Sequence, residues 1–381
     1  MLLQGIFWAV LTLLAYLHFG YPALLTLLSV LRPRPVRRRD LTPRVDLVIG
    51  AYNEESVIRE KIENCLALDY PPDRLQIIVA SDASTDRTHA IVQEYRSRGV
   101  RLVVAPSRRG KAANFREVVP TLVGEIVLFS DAGSLYRVDT LRTLMRNFGD
   151  PEVGCVGGRI RYQNPDSTSV SRGEGLYWRY EVSLRKMESA IGSTMVLSGA
   201  VYAIRRELYR PVPDSLPDDF MSPLNTLDQG FRVIYDTDTE IAEKMATSAR
   251  AEMETKIRIV SRNFRALLSM KHLLDPMRRP LLALQLLSHR LLRWFVFPLA
   301  VVLLVSNLGL AGHPIYAALL AGQALFYLLA GWGAYQDRRG RRSRLTYLPY
   351  YFVLVNLAAA LGIWRVLSGA GIGGVWEPVE R

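Results

Sequence analysis

The residues best suited to chemistry stand at the ends of short apolar runs. In Leu128-Phe129-Ser130-Asp131-Ala132-Gly133-Ser134 an apolar run ends in one carboxylate followed by small residues. A strand buried on both faces needs no polar alternation, so residues 126–129 read as a buried parallel strand. Asp131 then lies at the strand's carboxyl end, where open α/β sheets bind ligands. Its small neighbours leave room for phosphates or a metal ion. The plainer reading is that Asp131 caps a helix over residues 136–148. Ala51-Tyr52-Asn53-Glu54-Glu55 and Ser81-Asp82-Ala83-Ser84-Thr85-Asp86 end two more apolar runs in polar residues, although Asp82, Ser84 and Asp86 are also ordinary cap types. Arg109-Gly110-Lys111 opens a helix, and a lysine beside a glycine there suits a phosphate or is merely solvated.

Further along, Gly199 stands in the small-residue strand 198–204, where something must approach closely. In Leu216-Pro217-Asp218-Asp219-Phe220 one carboxylate reads as a helix N-cap. The other can face a cleft, where desolvation suits a carboxylate to act as a base. The helix-like stretch 169–191 carries Tyr177, Trp178, Tyr180 and Glu181, aromatics more often core than ligand-stacking. Arg262 and Arg265 share a helix face and can grip a diphosphate or face lipid headgroups.

The elements that must position these groups follow from the pattern. Strand and helix alternate from residue 45 to about 157, which argues a parallel, doubly wound sheet. There is neither a P-loop nor a G-x-G-x-x-G after the first strand. Residues 2–31 are almost wholly apolar, enough to cross a bilayer with a break at Gly20-Tyr21-Pro22. Residues 264–294 read as amphipathic helices in the interface, interrupted at Asp275-Pro276 and Arg279-Pro280. Three apolar segments follow, 295–310, 315–335 and 345–367.

The net charge is +12, but the arginines gather at 32–39 and 338–344, beside apolar segments and without interleaved aromatics. That is the positive-inside pattern, not a nucleic-acid groove. Both clusters fall on the inside if four segments cross, with the N-terminus outside. Cys65 and Cys155 read as buried thiols, and the five scattered histidines give no zinc spacing.

In this order and spacing the chain resembles the membrane-integrated family-2 glycosyltransferases, which include cellulose, chitin and hyaluronan synthases and bacterial exopolysaccharide enzymes. The resemblance implies an α/β GT-A-like cytosolic domain plus transmembrane and interface helices. The expected organisation is a transmembrane helix at 1–31, a basic linker at 32–44, the GT-A domain at 45–262, interface helices at 263–294, three transmembrane helices at 295–368 and a tail at 369–381. It implies inverting transfer from a UDP-sugar to a saccharide acceptor at the cytoplasmic membrane. The alternatives are single addition to a lipid-linked acceptor, or a silent sugar-nucleotide-binding scaffold. Membrane lipids and export or assembly subunits are further partners, and nucleic acid is not.

Residue by residue, the resemblance makes Asp219 the base. It gives donor contacts to Tyr52, Glu54, Asp82, Lys111, Asp131, Arg262 and Arg265, acceptor contacts to Trp178, Gly199 and Asp218, and a Mg2+ or Mn2+ ion to Asp131. Two departures stand out. Gly133 replaces the second acid of the family's D-x-D motif, and Ala266 replaces the tryptophan that stacks under an acceptor sugar in processive synthases.

Overall fold

The computed structural model describes residues 1–162, 169–243, 248–341 and 345–369. They fall into two compact units. One holds residues 1–27, 169–181, 248–341 and 345–369, and the other holds 28–162 and 182–243.

The second unit is built on one sheet. Its strands are β1 (Val45–Ala51), β2 (Leu75–Ser81), β3 (Arg101–Val104), β4 (Ile126–Asp131), β5 (Leu135–Tyr136), β6 (Val153–Tyr162), β7 (Val201–Arg205) and β8 (Arg232–Glu243). They lie in the order β3-β2-β1-β4-β7-β6-β8-β5. All seven β1 residues are buried, as are Ile126–Ser130 of β4, so both strands are apolar without alternation. Leu47, Ile49, Val79 and Leu128 share a core with Ile62, Cys65, Val92, Leu141 and Leu144. Cys65 and Cys155 are buried free thiols, as their apolar settings suggest.

The expected parallel sheet holds for half of it. β3, β2, β1 and β4 are parallel. β7 then runs antiparallel to both β4 and β6, while β8 is parallel to β6 and antiparallel to β5. The first four strands are joined by helical crossovers, the connections that parallel pairing needs. The expected helix at 136–148 is shorter. Leu135–Tyr136 is extended and pairs with β8, and helix begins at Thr140.

The arginines after the first apolar segment are partly structural. Arg34 meets Glu152 at 2.9 Å, and Arg38 meets Asp236 at 3.2 Å and Asp238 at 2.7 Å.

The other unit is helical. Among the described residues, three helices are long and apolar enough to cross a membrane: Leu2–Leu31, Pro314–Arg338 and Tyr347–Leu367. The segment expected to begin at 295 is a helix of only 13 residues, Val296–Leu308. At 1.5 Å per residue it covers about 20 Å, short of the ~30 Å apolar thickness of a bilayer. It makes a fourth span only together with Pro280–Trp294, across a bend of 63°. Pro298 explains the bend, because its ring clashes with the carbonyl of Trp294, four residues back. The helix Ala249–Ser269 runs unbroken through position 262 and packs on the last span, where Ser261 Oγ donates to the Gly362 carbonyl at 3.0 Å.

Candidate active site

The strand ends of the sheet unit carry the polar residues that the sequence singles out, and the loops after β1 and β2 are bound to each other. The Asn53 side chain accepts from the Thr85 N–H at 2.8 Å, and the Glu54 N–H donates to Thr88 Oγ1 at 2.9 Å. Asn53 and Ala83 both have positive φ, 52° and 57°, a conformation uncommon for residues with a side chain. Such strain persists only where surroundings over-determine it, and it concentrates at ligand sites. Tyr52 lies beneath the Arg108 guanidinium, 3.9 Å from its ring centroid, and Glu54 is buried.

Asp82, also buried, accepts from the Arg109 N–H at 2.9 Å and the Gly110 N–H at 2.7 Å. It therefore pins the loop that leads to Lys111, a role its sequence context did not reveal. Gly110 has φ 98°, a backbone shape that favours glycine, and the helix Lys111–Val118 starts directly after it.

Lys111 is the centre of the cluster. Its Nζ donates to Asp131 Oδ1 at 2.6 Å and to the Gly199 carbonyl at 3.2 Å, and lies 3.9 Å from Asp218 Oδ2. Burial would lower the pKa of this ammonium, but Asp131, Asp218 and Asp219 together outweigh burial and hold it above its ordinary value. The group stays charged. Asp131 thus faces Lys111, and the helix-cap reading falls away.

Asp218 and Asp219 both lie in the first turn of the helix Asp218–Asp228, whose N-cap is Pro217. Neither is the cap, so the expectation that one of them would be is corrected: proline ends the preceding extended segment and both carboxylates are released to other partners. Asp218 is buried and accepts from Tyr202 Oη at 2.9 Å. Asp219 is more open and accepts from the Gly199 N–H at 3.2 Å. A Cβ at Gly199 would stand 3.3 Å from Asp219 Oδ2, 3.3 Å from Lys111 Nζ and 3.6 Å from Asp131 Oδ2. Glycine is therefore the residue that lets the carboxylates and the ammonium converge.

Below the cluster lies a group missing from the sequence reading. Lys61 is fully buried; its Nζ donates to the Ser134 carbonyl at 2.6 Å and sits 3.5 Å from the Tyr136 ring centroid. Tyr136 Oη donates to Ser130 Oγ at 2.5 Å. This chain of contacts braces the turn after Asp131. Burial pulls the Lys61 pKa down to about 8, with the acidic groups around it opposing. The signal available in sequence was a lone lysine among the apolar positions of a helix.

Three of the expected site residues belong to the helical unit. Trp178 lies on Ser169–Ile191, and Arg262 and Arg265 are half-buried on Ala249–Ser269. Ala266 on that helix is fully buried.

Among the described residues no three His, Cys, Asp or Glu side chains converge as metal ligands. Asp131 supplies a hard carboxylate oxygen with its side chain 22% exposed. A single such donor fits Mg2+ or Mn2+ whose remaining ligands come from phosphates and water, not from a closed protein cage.

Residues 46–212 match the model of the glycosyl transferase family 2. A beta-monoglucosyldiacylglycerol synthase of Synechocystis sp. is 30% identical over 169 residues, 43% of this chain and 35% of the relative. An N-acetylglucosaminyltransferase of Rhizobium meliloti is 27% identical over 251 residues, 61% of this chain and 58% of the relative. The chain thus spans between a third and three-fifths of the length of these two curated relatives. Among solved structures, the mannosyltransferase PcManGT from Pyrobaculum calidifontis, in complex with GDP-Man and Mn2+, superposes with a TM-score of 0.73 over 97% of this chain and 100% of that one, at 24% identity. At that identity the likeness speaks for the fold. Residues 46–212 thus match a family 2 glycosyltransferase domain, and the fold around them has a GT-A-like core.

Proposed function

We propose that the chain is an inverting glycosyltransferase, moving a hexosyl or N-acetylhexosaminyl group from a UDP-sugar to an acceptor hydroxyl at the cytoplasmic membrane. The observation that carries this reading is the convergence of Asp131, Asp218 and Asp219 on Lys111 and Gly199 at the ends of the central strands. A pure binding module has no use for a half-exposed carboxylate such as Asp219 beside a buried ammonium.

In the proposed step, Asp219 takes the proton of the acceptor hydroxyl. The oxygen attacks the anomeric carbon as the bond to the diphosphate breaks, and the nucleoside diphosphate leaves with the electron pair. Lys111 offers fixed positive charge to the departing diphosphate, and Asp218 with Tyr202 orients Lys111. Asp131 would hold Mg2+ or Mn2+, which when bound neutralises charge on the diphosphate. Tyr52, Glu54 and Asp82 line the loops proposed to hold the nucleoside. Arg262 and Arg265 are proposed donor contacts and Trp178 an acceptor contact.

The proposed organisation places the GT-A domain at 45–262 in the cytosol, with the N-terminus outside. The relatives' names point to glucose and N-acetylglucosamine as sugars, and to both glycolipid and polysaccharide as products. Ala266 favours single addition, because a buried methyl group presents no ring for a growing polymer to stack on. The detergent-purified chain, given a panel of nucleotide sugars with Mn2+, should release nucleotide from one UDP-sugar. Product length then separates single addition from polymerisation. No turnover of any donor, with lipid and saccharide acceptors both supplied, would refute the proposal.

A further inference from the structure

The turn that carries Asp131 does little to hold itself. Its own hydrogen bond, from the Ser134 N–H to the Asp131 carbonyl, is 3.4 Å long, beyond the usual range of about 2.7–3.2 Å. Ala132 and Gly133 bring no polar side chain, so Asp131 is the one carboxylate of the turn. A lone carboxylate binds a divalent cation well only if its direction is fixed by the groups behind it.

Those groups stand on the helix Ile58–Leu66. Lys61 and Asn64 are three residues apart and so share one face of it. Lys61 Nζ donates to the Ser134 carbonyl at 2.6 Å and stands 3.5 Å from the Tyr136 ring centroid. Asn64 takes both backbone groups of Tyr136: its Oδ1 accepts from the N–H and its Nδ2 donates to the carbonyl, each at 2.8 Å. Tyr136 reaches back across the turn. Its Oη donates to Ser130 Oγ at 2.5 Å, and Ser130 Oγ donates to the Asp131 carbonyl at 3.0 Å. The residues on either side of the turn are thus tied to one helix face, directly or through Tyr136.

The same helix starts from the loop proposed to hold the nucleoside. The Glu54 carbonyl accepts from the N–H groups of Val57 and Ile58, at 3.0 Å and 2.9 Å. Ile58–Leu66 therefore runs from that loop to the turn that carries Asp131.

Stability is a poor account of the lysine. Burying an ammonium costs free energy unless a counter-ion pairs it, and Lys61 is fully buried against a carbonyl and a ring face. A methionine would fill a similar volume without the charge. What the ammonium adds is a short, directional bond to Ser134.

We propose that Lys61 and Asn64 are positioning residues that set the affinity of Asp131 for a divalent cation, fixing the turn 131–134 through Ser134 and Tyr136. The proposal rests on the reading of Asp131 as the metal ligand, and it needs no turnover to be tested.

The full chain in detergent is given radiolabelled UDP in EDTA and at increasing Mn2+. The Mn2+ concentration that gives half of the metal-dependent gain in UDP binding should rise about tenfold in Lys61→Met, the lower end of what groups behind a metal ligand contribute. It should rise by less in Asn64→Ala, because the other half of the clamp remains. UDP affinity in EDTA should match wild type in both variants, and excess Mn2+ should restore wild-type binding. An unchanged Mn2+ requirement, or a loss already present in EDTA that excess Mn2+ does not restore, would overturn the proposal while leaving Asp131 as the ligand. Wild-type UDP binding indifferent to Mn2+ would overturn both. Should Lys61→Met not fold, Asn64→Ala decides, since it releases the same segment.

Discussion

Three carboxylates surround one ammonium in the sheet unit, and one carboxylate faces three bases in the helical unit. Asp131, Asp218 and Asp219 gather at Lys111; His289, Arg290 and Arg293 gather at Glu181. Each minority charge is buried and is held by its neighbours. Burial alone would raise the pKa of Glu181, but Arg293, His289 and Arg290 outweigh it and keep the carboxylate ionised, well below its usual range. The surplus sign is what differs. An acidic surplus can take a proton from a hydroxyl and share a divalent cation. One physical device, a buried ion held by an excess of opposite charge, is thus present in both units.

The largest expected effect lies on the acidic side. Asp219→Asn should cut turnover by ~10²–10⁴ while nucleotide affinity survives, because a general base contributes to the transition state and not to donor binding. Near-normal turnover would remove the base from Asp219. On the basic side, Glu181→Gln leaves buried guanidinium groups short of counter-charge. It should lower stability by about 3–5 kcal/mol, read as an earlier melting midpoint in detergent, without altering nucleotide affinity. An unchanged midpoint would mean that the two clusters are not alike in construction. Asp131→Ala should weaken nucleotide binding roughly tenfold in Mn2+ and leave it unchanged in EDTA. Equal loss in both conditions would move Asp131 from metal binding to a structural role.

The smallest effect belongs to Lys61. Its folded pKa of about 8 lies below the ordinary 10.5, so between those values the unfolded chain binds more protons than the folded one. Lys61 therefore penalises folding below about pH 8, and that penalty fades as pH rises toward 10.5. The stability difference between wild type and Lys61→Met should change across this window and be flat below it. A difference flat throughout, measured by chemical denaturation, would mean that Lys61 is not strained by burial.

Much of this site is legible in the sequence because strand ends announce themselves. Asp82, Lys111, Asp131 and the Asp218-Asp219 pair follow apolar runs or breakers, and short-range pattern is enough to find them. Direction is not carried by such pattern. β7 is buried throughout Val201–Ile204, as the parallel strands are, so its antiparallel course left no mark in residue type. Lys61 was easily passed over for the opposite reason. A lysine in a helix reads as solvated, and only the tertiary packing of Ser134 and Tyr136 over it makes it a brace. The arginines at 34 and 38 show a third limit. Charge beside an apolar segment suggests lipid, but their carboxylate partners lie more than a hundred residues away in the chain. The helical unit's bend at Phe295 was likewise masked, since Pro298 sits inside a stretch whose composition alone reads as one span.

The configuration of the new glycosidic bond decides the chemistry most directly. With the donor that turns over and its acceptor, proton NMR of the product gives the anomeric configuration, which a glycoside keeps. A single displacement assisted by Asp219 predicts inversion: a β-linked product from an α-linked nucleotide sugar. An α-linked product would mean retention, and with it Asp219 could not be the base of a direct displacement.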